Sequence, residues 1–169
     1  LDGGDNWQQL TSGLPADNPE RGRIGLAISR SNPEIVYALV ENRANNAILR
    51  SEDGGRSWMK VQDEDPDVTE RPFYYADLRV DPAWPNRLYS LTSRLRVSED
   101  SGKTWKTLGR SEGIHGDYHA LWIDPRDPSF LIAGNDGGLG ISRDRGATWS
   151  FVPNLPIGQF YHVAVDGDS

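Results

Sequence analysis

The sequence has no cysteine among its 169 residues, which removes disulfide cross-links, thiolate catalysis and cysteine-ligated metal from consideration. Methionine occurs once, as Met59, and the first residue is Leu1, so the chain is expected to be a piece cut or processed from something longer. No apolar run approaches the ~18 residues that a membrane span needs. No stretch reads as a secretory leader, and no Asn-x-Ser/Thr sequon occurs. Apolar residues at helical spacing are missing from every stretch of ten or more, so helix should be nearly absent. Positive charge is in short supply: 18 Lys and Arg stand against 25 Asp and Glu, a net charge of −7. That balance disfavours a nucleic-acid backbone or an anionic membrane surface as partner. A Ser/His/Asp nucleophile elbow, a phosphate-binding glycine loop and a Cys/His zinc pattern are absent as well.

What is present is repetition. Ser51-Glu-Asp-Gly-Gly-Arg-Ser-Trp58, Ser98-Glu-Asp-Ser-Gly-Lys-Thr-Trp105 and Ser142-Arg-Asp-Arg-Gly-Ala-Thr-Trp149 share the pattern S-x-D-x-G-x-[ST]-W. A trimmed copy runs from Leu1 through Asp2 to Trp7, so the four tryptophans are 51, 47 and 44 residues apart. The pattern suits a hairpin. The carboxylates of Asp53, Asp100 and Asp144 can accept bonds from backbone N–H groups a few residues on. Gly55, Gly102 and Gly146 supply a left-handed position that a Cβ would strain, and Ser51, Ser98 and Ser142 tie the turn to the strand before it. The tryptophan is an apolar wedge for a neighbouring unit. These aspartates therefore read as folding residues, not catalytic ones.

Between the copies lie short apolar runs bounded by Asn, Asp, Gly or Pro, which is the strand signal. The first unit has Arg23–Ile28, Ile35–Val40 and Ala47–Arg50. The second has Tyr75–Pro82, Arg87–Leu91 and Leu95–Ser98; the third has Tyr118–Pro125, Phe130–Ala133 and Leu139–Ser142. Asn32-Pro33, Trp84-Pro85 and Asp127-Pro128 align as the turn between the first two strands of each unit. A short strand is expected just after Trp7, and another over Phe160–Val165. Self-similarity at this period, rich in strands, points to an all-β array of packed sheets.

The repeats resemble Asp-boxes (BNR repeats), the hairpin signature of sialidase-type, xyloglucanase-type and sortilin-type β-propellers. Three copies match closely and one in part, across essentially the whole chain. The resemblance implies an all-β propeller segment of about three four-stranded antiparallel blades with flanking single strands. Residues 1–15 would be the outer strand of a preceding blade, 16–63, 64–110 and 111–156 three blades, and 157–169 the inner strand of a following blade. Natural propellers close on typically four to eight blades, so either the rest of a parent propeller or further copies of the chain should complete the ring. By family resemblance the setting is secreted, extracellular or periplasmic. The implied role is binding or scaffolding of carbohydrate or protein ligands. A share of a glycoside hydrolase cleft, or a self-assembling structural piece, are the alternatives.

Three places carry candidate chemistry. In Ile114-His-Gly-Asp-Tyr-His119, an extended chain would put His115, Asp117 and His119 on one side at period two. Two imidazoles and a carboxylate so placed can hold a divalent metal or a ligand; no other cofactor is implied. Asp136, in Gly134-Asn-Asp-Gly-Gly138, is most simply a turn residue. It also resembles the T-D-x-G-G stretch that carries a catalytic Asp in xyloglucanase-type propellers, with Asn135 in place of the Thr and one residue fewer. As a catalytic acid or base it would need a partner carboxylate, for which Asp117 is the candidate. Aromatic segments with Tyr75, and with Tyr161 and His162, can stack on a sugar or peptide, or pack between blades. The acidic loop Asp63–Glu70 reads as solvated, with weak calcium binding as the alternative. Sialidase chemistry would need an arginine cluster, which Arg21 and Arg23 only faintly resemble.

Overall fold

In the computed structural model the described residues are 3–14, 21–42, 46–62, 65, 68–70, 74, 76–109 and 114–155. Asp2, Tyr75, the expected strand Phe160–Val165, and with it Tyr161 and His162, lie outside them. The described residues contain twelve strands and no helix. β1 (Arg21–Ile28), β2 (Val36–Asn42), β3 (Ala47–Ser51) and β4 (Met59–Gln62) pair in that order as one antiparallel sheet. The second holds β5 (Asp77–Val80), β6 (Leu88–Leu91), β7 (Leu95–Ser98) and β8 (Lys106–Thr107). The third holds β9 (Tyr118–Ile123), β10 (Leu131–Asn135), β11 (Gly138–Ser142) and β12 (Ser150–Phe151).

Alternation along the strands gives each sheet two apolar faces, and the sheets stack through them. Tyr37, Leu39 and Ile48 of the first sheet meet Leu78 and Leu88 of the second. Tyr89, Leu91 and Val97 on the opposite face of the second meet Leu121, Leu131 and Ala133 of the third. Fully burying each such side chain is worth roughly 1.5–3 kcal/mol, so apolar contact between sheets is the main cohesive force. A hydrogen bond from the Tyr37 hydroxyl to the Pro85 carbonyl (2.9 Å) adds one specific tie.

The three repeated turns fold alike. Ser51, Ser98 and Ser142 each donate from Oγ to the Oδ1 of Asp53, Asp100 and Asp144 at 2.7, 2.8 and 2.8 Å. The same Oγ accepts the N–H of Gly55, Gly102 and Gly146, each at 2.8 Å. The aspartates in turn accept the N–H and the hydroxyl of Ser57, Thr104 and Thr148. The glycines sit at φ of 93°, 91° and 86°. The residues before them are also left-handed, and at Ser101 and Arg145 this places a side chain where glycine is favoured. Trp58 and Trp149 are buried in sheet contacts and Trp105 is partly so.

The first copy departs from this. Trp7 is 91% exposed, and residues 7–11 form no strand. Among the described residues no neighbouring strand is present to pair with an outer strand here. The acidic loop is corrected, since Val68 and Thr69 are buried. Asp65 caps both backbone N–H groups with its carbonyl and lies 3.5 Å from Arg96.

Two ends can be told apart. At one, the Asn32, Trp84 and Asp127 carbonyls accept from Ile35, Arg87 and Phe130 at 2.9–3.0 Å, one turn per sheet. The S-x-D-x-G turns bond to these turns through Gly54–Glu34, Ser101–Asn86 and Arg145–Ser129. At the other end the β6–β7 turn meets the start of β9, where Tyr118 and Asp117 donate to Thr92 and Ser93 carbonyls. The β10–β11 turn lies at that end as well.

Candidate functional site

The second end holds His115, Asp117, His119 and Asp136. β9 and β10 pair regularly until Ala120 faces Gly134; Asn135 then faces Tyr118, so the register shifts at His119. A register shift of this kind bends the strand and re-aims a side chain. His119 Nε2 comes to 2.9 Å from Asp136 Oδ1, with side-chain exposures of 6% and 35%. With Asp136 ionised, Nε2–H is the donor. The Tyr74 ring stands edge-on to the imidazole, centroids 6.4 Å apart.

The turn that carries Asp136 is shaped by its neighbours. Asn135 is fully buried and its Oδ1 accepts the Gly137 N–H at 2.8 Å. A Cβ on Gly137 would come within 2.6 Å of the His115 Cβ, so glycine is required there by close approach. His115 thus packs on the turn, with Nδ1 3.1 Å from the Gly116 carbonyl.

The period-two expectation for His115, Asp117 and His119 fails. Gly116 lies in a bend and Asp117 is left-handed (φ 54°), so the chain is not extended before β9 starts. Among the described residues no group of three or more His, Asp or Glu is placed to hold a metal ion. His115, Asp117 and His119 thus do not form such a group. The structure instead joins His119 to Asp136, which the sequence reading had assigned to different sites. Glu70 and Ser93 were missed: Glu70 accepts from the Ser93 hydroxyl and N–H. Their one legible signal was the place of Glu70 at the close of the acidic loop, just before an aromatic segment.

Arg23, in the faint arginine motif, is committed to the backbone and to the next sheet. Its N–H donates to Glu41 Oε2 (2.8 Å) and its Nη1 to the Ala76 carbonyl (3.1 Å).

No family model matches the chain. It is 27% identical over 174 residues to the oligoxyloglucan-reducing end-specific xyloglucanase of Emericella nidulans, covering 90% of this chain and 20% of that protein. Among solved structures, the Niastella koreensis GH74 enzyme superposes with TM-score 0.65 at 21% identity, over 77% of this chain and 22% of that one. YCF48 from Cyanidioschyzon merolae does so with TM-score 0.53 at 17% identity, over 79% and 38%. The chain is a β-propeller segment. It spans about a fifth of the length of the xyloglucanase it matches. In propeller terms its three sheets are blades, and the His119–Asp136 pair stands at the end where the β6–β7 turn meets the start of β9.

Proposed function

We propose that this propeller segment binds carbohydrate at that end, with His119 and Asp136 as the contacting pair. The observation that carries this reading is the irregular pairing at His119, which turns its imidazole onto the Asp136 carboxylate beside an aromatic ring. A coupled imidazole and carboxylate offer a donor and acceptors in fixed geometry, which is what sugar hydroxyls need. His115, packed against the same turn, and Tyr75, Tyr161 and His162 are proposed to flank the ligand. A secreted or periplasmic setting goes with this role, and a protein ligand is the competing occupant.

The test is calorimetric titration with a xyloglucan oligosaccharide. His119→Ala and Asp136→Asn should each weaken binding about tenfold or more, the scale of a lost hydrogen bond to a charged group. Unchanged affinity in both variants removes the reading.

A hydrolase role is the second reading, favoured by the xyloglucanase relative and by Asp136 in its Asn-Asp-Gly-Gly turn. Asp136 would act as acid or base with Asp117 as the second carboxylate, at a separation of roughly 5–9.5 Å in such enzymes. Release of reducing ends from xyloglucan should then fall by at least a hundredfold in Asp136→Asn, on the ~10²–10⁴-fold scale of general acid–base catalysis. Equal turnover in wild type and variant eliminates it.

A further inference from the structure

We propose that the cavity beside His119 selects for negative charge and takes a carboxylated saccharide, one bearing uronate groups. This rests on the carbohydrate reading above, because His119 is also one of the residues lining this cavity. The cavity measures about 400 Å³ and is lined by Arg30, by the end of β5 and by most of β9. Arg30, just past β1, and Arg79 of β5 line it together with His119 and Trp122 of β9, and among the described lining residues there is no Asp or Glu. On a chain of net charge −7, two guanidinium groups on one wall favour an anionic ligand there.

Both guanidinium groups have donors to offer. Arg30 is exposed and makes no hydrogen bond or ion pair among the described residues. Arg79 is partly offset by Asp77, but its bonds, to Asp77 Oδ2 (2.5 Å) and the Leu78 carbonyl (2.9 Å), all leave from Nη1. Its Nε and Nη2 are uncommitted among the described residues. A carboxylate can accept from such a fork in bidentate fashion.

The rest of the wall argues for a sugar acid over a small anion. The volume is that of a site for a small organic ligand, within the roughly 300–1,000 Å³ of such pockets. Trp122, half-buried and edge-on to Phe130 with centroids 5.9 Å apart, supplies the apolar surface on which the C–H face of a sugar ring rests. A neutral oligosaccharide would use Trp122 and the His119–Asp136 pair but leave Arg30 idle.

The experiment compares trigalacturonate with a neutral xyloglucan oligosaccharide by calorimetry, at low and at high salt. Wild type should prefer trigalacturonate about tenfold or more, the scale of charge-assisted hydrogen bonds, and salt should narrow that preference by screening. In Arg30→Gln the acidic-over-neutral ratio should fall towards one, while Lys106→Gln, at the exposed outer strand β8, leaves it as in wild type. A ratio near one in wild type, or an undiminished ratio in Arg30→Gln, overturns the charge selection. In that case neutral binding that still depends on His119 leaves the carbohydrate reading standing. Absence of binding to either saccharide overturns both, and a carboxylate-ended peptide that outcompetes trigalacturonate overturns the saccharide assignment.

Discussion

Asp53, Asp100 and Asp144 show how one residue type can set a fold and its acid sensitivity together. The Ser57 hydroxyl and N–H, with the Ser51 hydroxyl, hold the Asp53 carboxyl down from the ordinary 3.8 to about 2. Thr148 and Ser142 lower Asp144 in the same way. At Asp100 burial pushes upward, but the bonds from Thr104, Ser98 and Lys103 outweigh it and the net displacement is downward. A carboxyl whose folded-state value lies below its unfolded value stabilises the fold fully above the unfolded value. That contribution is lost as pH falls through the folded value. Thermal stability should therefore hold from neutral pH to about 4 and decline between there and about 2, the interval set by Asp53. Replacing Asp53 and Asp144 by Asn should lower the melting temperature at neutral pH and flatten the acid decline. A double variant with the wild-type acid profile would show that other groups govern it.

At the scale of elements, the contact between the first two blades sets one hydrogen bond against a layer of apolar side chains. Leu88 is fully buried in that layer, and Leu88→Ala should cost about 2–5 kcal/mol, as buried truncations do. Tyr37→Phe removes only the bond to Pro85 and should cost about 1 kcal/mol. Urea unfolding with unchanged denaturant slope measures both; equal costs would mean that the polar tie, not burial, joins the blades. Strands and turns of this kind were legible in the sequence because they are local. Continuous apolar runs such as Ile35–Val40, and a turn whose Ser, Asp and Gly sit within five residues, encode their own geometry. The His119–Asp136 pair was not legible in this way, because it depends on the register across β9 and β10 and on one shift in it. The same registers defeated the 115/117/119 expectation: Gly116 and a left-handed Asp117 break the alternation that the residue types alone suggested. Trp7 matched its pattern by residue type but has no strand around it, so the motif without its sheet did not bury its wedge.

At the scale of the molecule, the first blade shows two unequal faces. Val36, Ala38 and Val40 of β2 are buried under Trp58 and Leu14. Their partners across the ladder, Ile28, Leu26 and Ile24 of β1, are 63%, 59% and 42% exposed. Three aliphatic side chains in a row on β1 form the kind of face that the other two blade contacts bury, and burial of each would contribute roughly 1.5–3 kcal/mol. A further blade, whether from the same polypeptide or from another copy of this chain, would bury it in the same way. Sedimentation of the chain alone separates these. If copies complete the ring, association should grow with concentration, and Leu26→Glu should abolish it while leaving the circular dichroism of the sheets unchanged, because a charge desolvated in that contact has no partner. A strict monomer at the highest soluble concentration would assign the missing face to additional blades of a parent chain. In that case extending the sequence, not raising its concentration, is what should protect Leu26 from solvent.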